Sequence, residues 1–134
     1  MTPRVAALAY AARGWPVSPW RQRGDVKFPL TPHGHLDATT DPERISAWWR
    51  QHPNALVSIA TGEQSGVVAL DIDVRPGGSG YHTLELLGVS LHPDSPTAHT
   101  PRGGAHVLFA PDLRPRRDPY GPFRRRLPLQ KSPV

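Results

Sequence analysis

Apolar residues recur at helical spacing in two stretches of the first half of the chain. PRVAALAYAARGWP carries them on one helical face and ends in a glycine and a proline, which predicts a helix over about residues 3–13. TTDPERISAWWRQHP, residues 39–53, has Thr40 or Asp41 as a capping residue and Pro42 in its first turn. The pattern therefore predicts a second helix in this stretch.

Four short runs of β-branched and other apolar residues lie further along the chain. The first two, 55–60 and 66–74, flank the turn residues TGEQSG, and the last two, about 96–100 and 105–110, flank a turn at Arg102-Gly103-Gly104. Two β-prone runs joined by a short glycine-containing turn are typical of a β-hairpin. The sequence therefore predicts two hairpins.

The remaining segments complete a mixed order of elements. A short apolar segment at 15–19 predicts a strand, the polar residues 21–40 predict a long loop, and GGSGYHTLELLGV predicts a helix that runs through Leu87. The predicted order is αβαββαββ. Such a mixture favours an α+β fold with a largely antiparallel sheet and helices on one face.

Basic residues are concentrated at the C-terminal end of the chain. The formal net charge is +5, yet residues 1–110 hold nine Lys and Arg against nine Asp and Glu, whereas residues 111–134 hold seven against two. The second segment has six prolines and little apolar periodicity, and such a composition buries too little apolar surface to form a core. We expect one domain over 1–110 and a disordered or loosely attached Arg/Pro-rich tail over 111–134.

The composition also excludes some classes of site. Because the chain has no cysteine, it can form neither a disulfide nor a thiolate zinc site, and any metal must be held by oxygen or imidazole. The apolar run near the N-terminus is short and is interrupted by Arg13 and Pro16, which argues against a membrane span or a signal peptide. We expect a soluble cytoplasmic protein.

Two aspartates stand in the otherwise apolar run VVALDIDV, residues 67–74. Because side chains at i and i+2 of a strand point to the same face, Asp71 and Asp73 project together while Ile72 enters the core. Neighbouring like charges favour a cation between them, and Mg²⁺ or Mn²⁺ binds carboxylate oxygens while keeping positions for water and phosphates. The pair is either such a metal site or a strand end with hydrated carboxylates.

A histidine follows the second predicted glycine turn. In TPRGGAHVLF, His106 and Leu108 fall on one face of the strand. An imidazole in this position can bind a triphosphate oxygen or a metal, and exposed N–H groups of Gly103 and Gly104 suit anions. The alternative is a histidine that makes only a structural hydrogen bond.

Several motifs occur in an order that resembles one family. They are ARGWPV near the N-terminus, a Lys-x-Pro at Lys27, ATTDPE followed by a tryptophan pair, IATG, the Asp-x-Asp pair and Gly-Gly-x-His. In this order, over about residues 5–110, the chain resembles the N-terminal bifunctional primase–polymerase domain of the archaeo-eukaryotic primase superfamily.

The resemblance implies metal-dependent nucleotidyl transfer in DNA replication. By this resemblance, Asp71 and Asp73 match the first, metal-binding motif, and His106 matches the second motif, which contacts the incoming nucleotide. Lys27 matches a lysine of the family's N-terminal loop and Arg102 stands beside the glycine turn, so either could neutralise triphosphate charge, and the alternative for each is an ordinary solvated side chain. The implied ligands are Mg²⁺ or Mn²⁺, NTPs or dNTPs and template DNA. A helicase, which often follows this domain, would be a separate chain.

The chain departs from the family pattern after Phe109. The pattern has a third acidic motif downstream of the Gly-Gly-x-His strand, and neither Asp112 nor Asp118 lies in a matching context. Since the third carboxylate completes the metal cage, we expect weak metal binding and little or no turnover. We expect a C-terminally truncated or frame-shifted product, or alternatively a shortened protein that kept the nucleotide-binding half.

A rival hypothesis belongs to a different functional class. The Lys and Arg side chains in excess over residues 111–134 would bind nucleic-acid phosphates and release counterions, without catalysis. In that case the Asp pair would be vestigial, and the protein would be a nucleic-acid-binding module.

Overall fold

A computed structural model describes residues 1–110 of the 134-residue chain, and the predicted tail, 111–134, lies outside the described residues. The helices are α1 Pro3–Ala12, a 3₁₀ helix Gly34–Asp37, α2 Pro42–Gln51 and α3 Gly80–Leu86. The strands are β1 Val17–Arg23, β2 Val26–Pro29, β3 Leu56–Ile59, β4 Val68–Ile72, β5 Val74–Arg75, β6 Gly78–Ser79, β7 Thr97–His99 and β8 Ala105–Phe109. All strand pairs among the named strands are antiparallel, so the predicted α+β class is confirmed.

The first sheet has the strand order β2-β1-β3 and packs against α1 and α2. Both helices begin at polar caps, since Thr2 accepts the N–H of Val5 and Asp41 accepts the N–H of Glu43. Their facing residues form a buried cluster with the sheet, namely Ala7, Ala11, Val17, Ile45, Trp49 and Ala55. The two helices predicted from the sequence are therefore present and hold the larger core.

The second sheet has the order β4-β8-β7 and carries its own small core. Ile72, Ala105 and Val107 are buried together, and Leu84 of α3 packs against them. The β7–β8 pair is the second predicted hairpin, which is confirmed. A helix ending near Leu87 is also confirmed, as α3.

The first predicted hairpin is wrong. Strand β3 pairs with β1 and strand β4 pairs with β8, so the two apolar runs lie in different sheets. A single bridge, between Gly62 of the turn and Val67, lies between them. Gly62 and Gly66 both adopt positive φ, 97° and 64°, a conformation that redirects the chain between them. The turn therefore leads the chain from one sheet to the next.

The predicted loop over residues 21–40 is also wrong in part. Strand β1 extends to Arg23 and forms a hairpin with β2, with Gln22 opposite Lys27 and Arg23 opposite Val26. Four residues, three of them exposed, are too few to show apolar alternation, so sequence patterning does not detect β2. No helix within residues 1–110 is both long and apolar enough to cross a membrane.

Candidate active site

The two faces of the second sheet have opposite chemical character. Cross-strand partners share a face, and the buried pair Ile72 and Ala105 lies on the side covered by α3. The neighbouring pair, Asp71 and His106, therefore lies on the opposite, uncovered face. Ala98 of β7 is the partner of His106 on its other side. The short Ala98 side chain leaves this face open beside the imidazole.

Asp71 and His106 contact each other directly. The His106 Nε2 atom lies 3.4 Å from Asp71 Oδ1, and the side chains are 46% and 61% exposed respectively. The distance allows an ion pair when the imidazole is protonated. Since both groups remain accessible, a ligand can reach the carboxylate and the imidazole from the same side.

Asp73 follows the end of β4 and belongs to a second polar pair. Its Oδ2 atom accepts a hydrogen bond of 2.8 Å from Arg75 Nη2, and its backbone carbonyl accepts the N–H of Gly80, where α3 begins. The carboxylate itself is 61% exposed. Sequence reasoning missed Arg75, although its position two residues after Asp73 in extended backbone is the signal that could have found it.

The glycine turn before His106 fixes where β8 begins. Gly103 has φ of +85° and its N–H donates to the carbonyl of Thr100, which closes the turn. Gly104 is buried, and a β-carbon there would collide with the carbonyl oxygen of Ile72. The turn glycines therefore have a structural role, because they bring β8 against β4 next to the Asp71–His106 pair.

The hairpin β1–β2 approaches the same turn. Arg102 Nη2 lies 3.5 Å from Asp25 Oδ1, at the tip of the hairpin, and both side chains are largely exposed. Lys27 lies two residues beyond Asp25 and is exposed, and it makes no ion pair within residues 1–110. The structure thus places Arg102 against the hairpin, and it shows no contact between Lys27 and the aspartates.

The carboxylates of Asp71, within β4, and of Asp73, just beyond its end, are of the kind that suits a hard divalent cation. Asp71 and Asp73 offer carboxylate oxygens, which Mg²⁺ and Mn²⁺ prefer, and Mg²⁺ usually takes one or two carboxylates together with water and phosphate oxygens. In the described part of the chain, no three His, Asp or Glu residues are grouped closely enough to share an ion. The residues therefore fit an ion that takes most of its remaining ligands from water and substrate.

Comparison with family models identifies the family of this chain. Residues 7–127 match the model of the bifunctional DNA primase/polymerase N-terminal domain, Prim-Pol. This match covers most of the chain, which therefore belongs to the Prim-Pol family. It ends at residue 127, beyond the boundary near residue 110 that we predict from composition. No curated protein matches the chain, and no solved structure matches it either.

Proposed function

We propose that this domain catalyses, or descends from a domain that catalysed, metal-dependent nucleotidyl transfer on a DNA template during DNA replication. Membership of the Prim-Pol family supports this reaction class. The observation that carries the proposal is the pairing of Asp71 with His106 across β4 and β8, with Asp73 two residues further along.

In this proposal, Asp71 and Asp73 hold the divalent ion, Mg²⁺ or Mn²⁺. When bound, the ion neutralises phosphate charge and lowers the pKa of the attacking 3′-hydroxyl. His106 Nε2, which already faces Asp71 Oδ1 at 3.4 Å, donates a hydrogen bond to a triphosphate oxygen of the NTP or dNTP.

Two arginines, one just after β4 and one just before β8, supply further positive charge. Arg75 stays paired with one Asp73 oxygen until a cation competes for that oxygen or a phosphate competes for the guanidinium. Arg102, beside the glycine turn that precedes His106, is exposed and would neutralise triphosphate charge. Both side chains are flexible and largely in solvent, so neither needs a backbone change to reach a ligand.

We propose slow turnover for this chain. Two carboxylates without a third acidic partner in residues 1–110 hold a cation weakly, and two-metal chemistry needs a second well-held ion. Nucleotide binding is less demanding, because the triphosphate brings oxygen ligands of its own.

Calorimetry with Mn²⁺ or Mg²⁺ and a nucleotide tests this proposal on the full chain. The informative variant is Asp71→Asn with Asp73→Asn, which removes two charges and keeps the side-chain volume. Its matched control is Glu63→Gln with Asp94→Asn, which removes two charges from exposed positions elsewhere. We expect metal-dependent binding in the wild type and the control, and none in the first variant. Equal binding by all three proteins would refute the assignment.

Non-catalytic nucleic-acid binding through residues 111–134 is the second candidate. It is favoured by the concentration of the net charge in this segment. Replacing Arg124, Arg125 and Arg126 with glutamine should then abolish DNA binding, while the Asp71 and Asp73 substitutions should leave it unchanged. The opposite pattern would remove this candidate.

A further inference from the structure

We infer that the β1–β2 hairpin binds the phosphate backbone of the template strand next to the candidate active site. This inference rests on the proposed function for its choice of DNA as the partner. It assigns the contact to a structural element for which the sequence predicted only a loop.

The outer half of the hairpin is a two-stranded ribbon with cations on both faces. Strand β3 pairs with β1 only from Val17 to Trp20, so the part from Arg21 onward has β2 as its only strand neighbour. Arg21 and Arg23 are two positions apart in β1 and share one face of the ribbon. Lys27 is opposite Gln22 and therefore lies on the other face.

These three cations are exposed and available. None of them takes part in an ion pair within the described residues, although the numbers of acidic and basic residues over 1–110 are equal. Only the Asp25 carboxylate lies at the tip, and Arg102 compensates it. A local excess of unpaired Arg and Lys in a chain segment of balanced charge suits an anionic partner.

The ribbon favours phosphates over bases. Its aromatic neighbours, Trp20 and Phe28, are both half-buried, and the Trp20 indole N–H donates to Ser18 Oγ at 3.0 Å. Stacking of single-stranded bases needs exposed aromatic faces, whereas guanidinium and ammonium groups bind backbone phosphates regardless of sequence. We therefore assign a backbone contact without base recognition.

The position of the ribbon connects it to the proposed chemistry. The Asp25–Arg102 contact brings the hairpin tip beside the turn that leads into β8, and Arg102 is four residues before His106. A strand laid along the ribbon is thereby directed to the face that carries Asp71 and His106.

The test is the salt dependence of binding of a fluorescent single-stranded DNA oligonucleotide to the full chain. The hairpin variant is Arg21→Gln with Arg23→Gln, which leaves Lys27 in place because the family resemblance assigns Lys27 a role toward the nucleotide. The control variant is Arg4→Gln with Arg44→Gln, which removes the same charge from exposed helix positions. Each phosphate contact contributes about 0.7 to the slope of log K against log salt for single strands.

We expect the hairpin variant to lower that slope by about 1.4, corresponding to two lost contacts, and the control to leave it nearly unchanged. If the hairpin and control variants lose equal slope, or if Arg124→Gln with Arg125→Gln accounts for the whole loss, the hairpin assignment is overturned.

Nucleotide binding with Mn²⁺, measured on the same proteins, separates this inference from the proposed function. The hairpin variant should bind nucleotide like the wild type. If no protein binds nucleotide while the hairpin variant alone loses DNA affinity, the proposed chemistry fails and the hairpin contact stands.

Discussion

Asp71 and His106 are direct cross-strand partners, and their side chains meet at 3.4 Å on the face of the sheet that α3 leaves uncovered. The carboxylate and the imidazole come from segments 35 positions apart, and one strand pair brings them together. Because both side chains are about half exposed or more, their substitution should alter ligand binding more than folding.

We predict that His106→Gln weakens nucleotide binding by about 10- to 100-fold, since a charge-assisted hydrogen bond contributes roughly 1.5–3 kcal/mol. The matched control is His99→Gln, which changes an exposed histidine of neighbouring β7 on the other face. Calorimetric titration with a nucleotide and Mn²⁺ measures both. Equal losses in the two variants would argue against a direct contact by His106.

We predict that Gly104→Ala destabilises the fold by about 1–3 kcal/mol, because the added methyl group meets the Ile72 carbonyl oxygen and β8 must shift away from β4. The same shift separates His106 from Asp71, so nucleotide binding should fall as well. Gly78→Ala is the control, since a β-carbon there has nothing within 4 Å and should change stability by less than about 0.5 kcal/mol. Urea unfolding compares the two, and similar midpoints would contradict the steric argument.

We predict that Arg75→Gln strengthens the binding of Mn²⁺ in the absence of nucleotide. The Arg75 guanidinium competes with a cation for Asp73 Oδ2, and an exposed ion pair of this kind contributes about 0–1 kcal/mol, so the gain should be up to about fivefold. Arg50→Gln removes the same charge from α2 and should have no effect. A weaker affinity in Arg75→Gln would mean that the guanidinium supports the ion site.

We predict that protonation of Asp37 at low pH reduces the stability of the segment around the 3₁₀ helix. The backbone N–H of His33 donates to Asp37 Oδ2 at 2.7 Å and holds the pKa of this carboxyl below its usual range. A lowered folded-state pKa stabilises the fold above the ordinary value of about 3.9, and this stabilisation is lost as the pH falls through the folded-state pKa.

Unfolding midpoints of the wild type and Asp37→Asn, measured from neutral pH down to about pH 3, test this expectation. The difference between the two proteins should shrink as the pH falls. A difference that stays constant over this range would exclude a contribution from Asp37 ionisation.

The features that could be predicted from the sequence depend on neighbours in the chain. The cap at Asp41 lies next to the helix it starts, and the turn at Gly103 lies between the two strands it joins, so α2 and the β7–β8 hairpin follow from local patterns. The placement of Asp71 on the face opposite buried Ile72 follows from strand alternation alone.

The features that could not be predicted depend on distant partners. The composition of β3 is typical of one strand of a hairpin. In the structure, β3 pairs with β1, and its Val57 and Ile59 pack against the core that also includes α1 and α2. No local pattern specifies that choice. The Asp25–Arg102 contact likewise joins two turns that are far apart in the sequence. The pairing of β3 with β1 is set by which apolar faces must be covered together.

Buried apolar residues and candidate site residues alternate along β4 and β8. The same sequence pattern therefore determines both the small core and the position of the site. A slip of β4 by one residue against β8 would turn Asp71 under α3 and expose Ile72 to water, while His106 stayed on the open face. Burial of a carboxylate and loss of the small core would then occur together. A mutation that shifts the register of β4 against β8 therefore lowers the stability of the fold. Variants that keep the native register keep Asp71 and His106 on the open face.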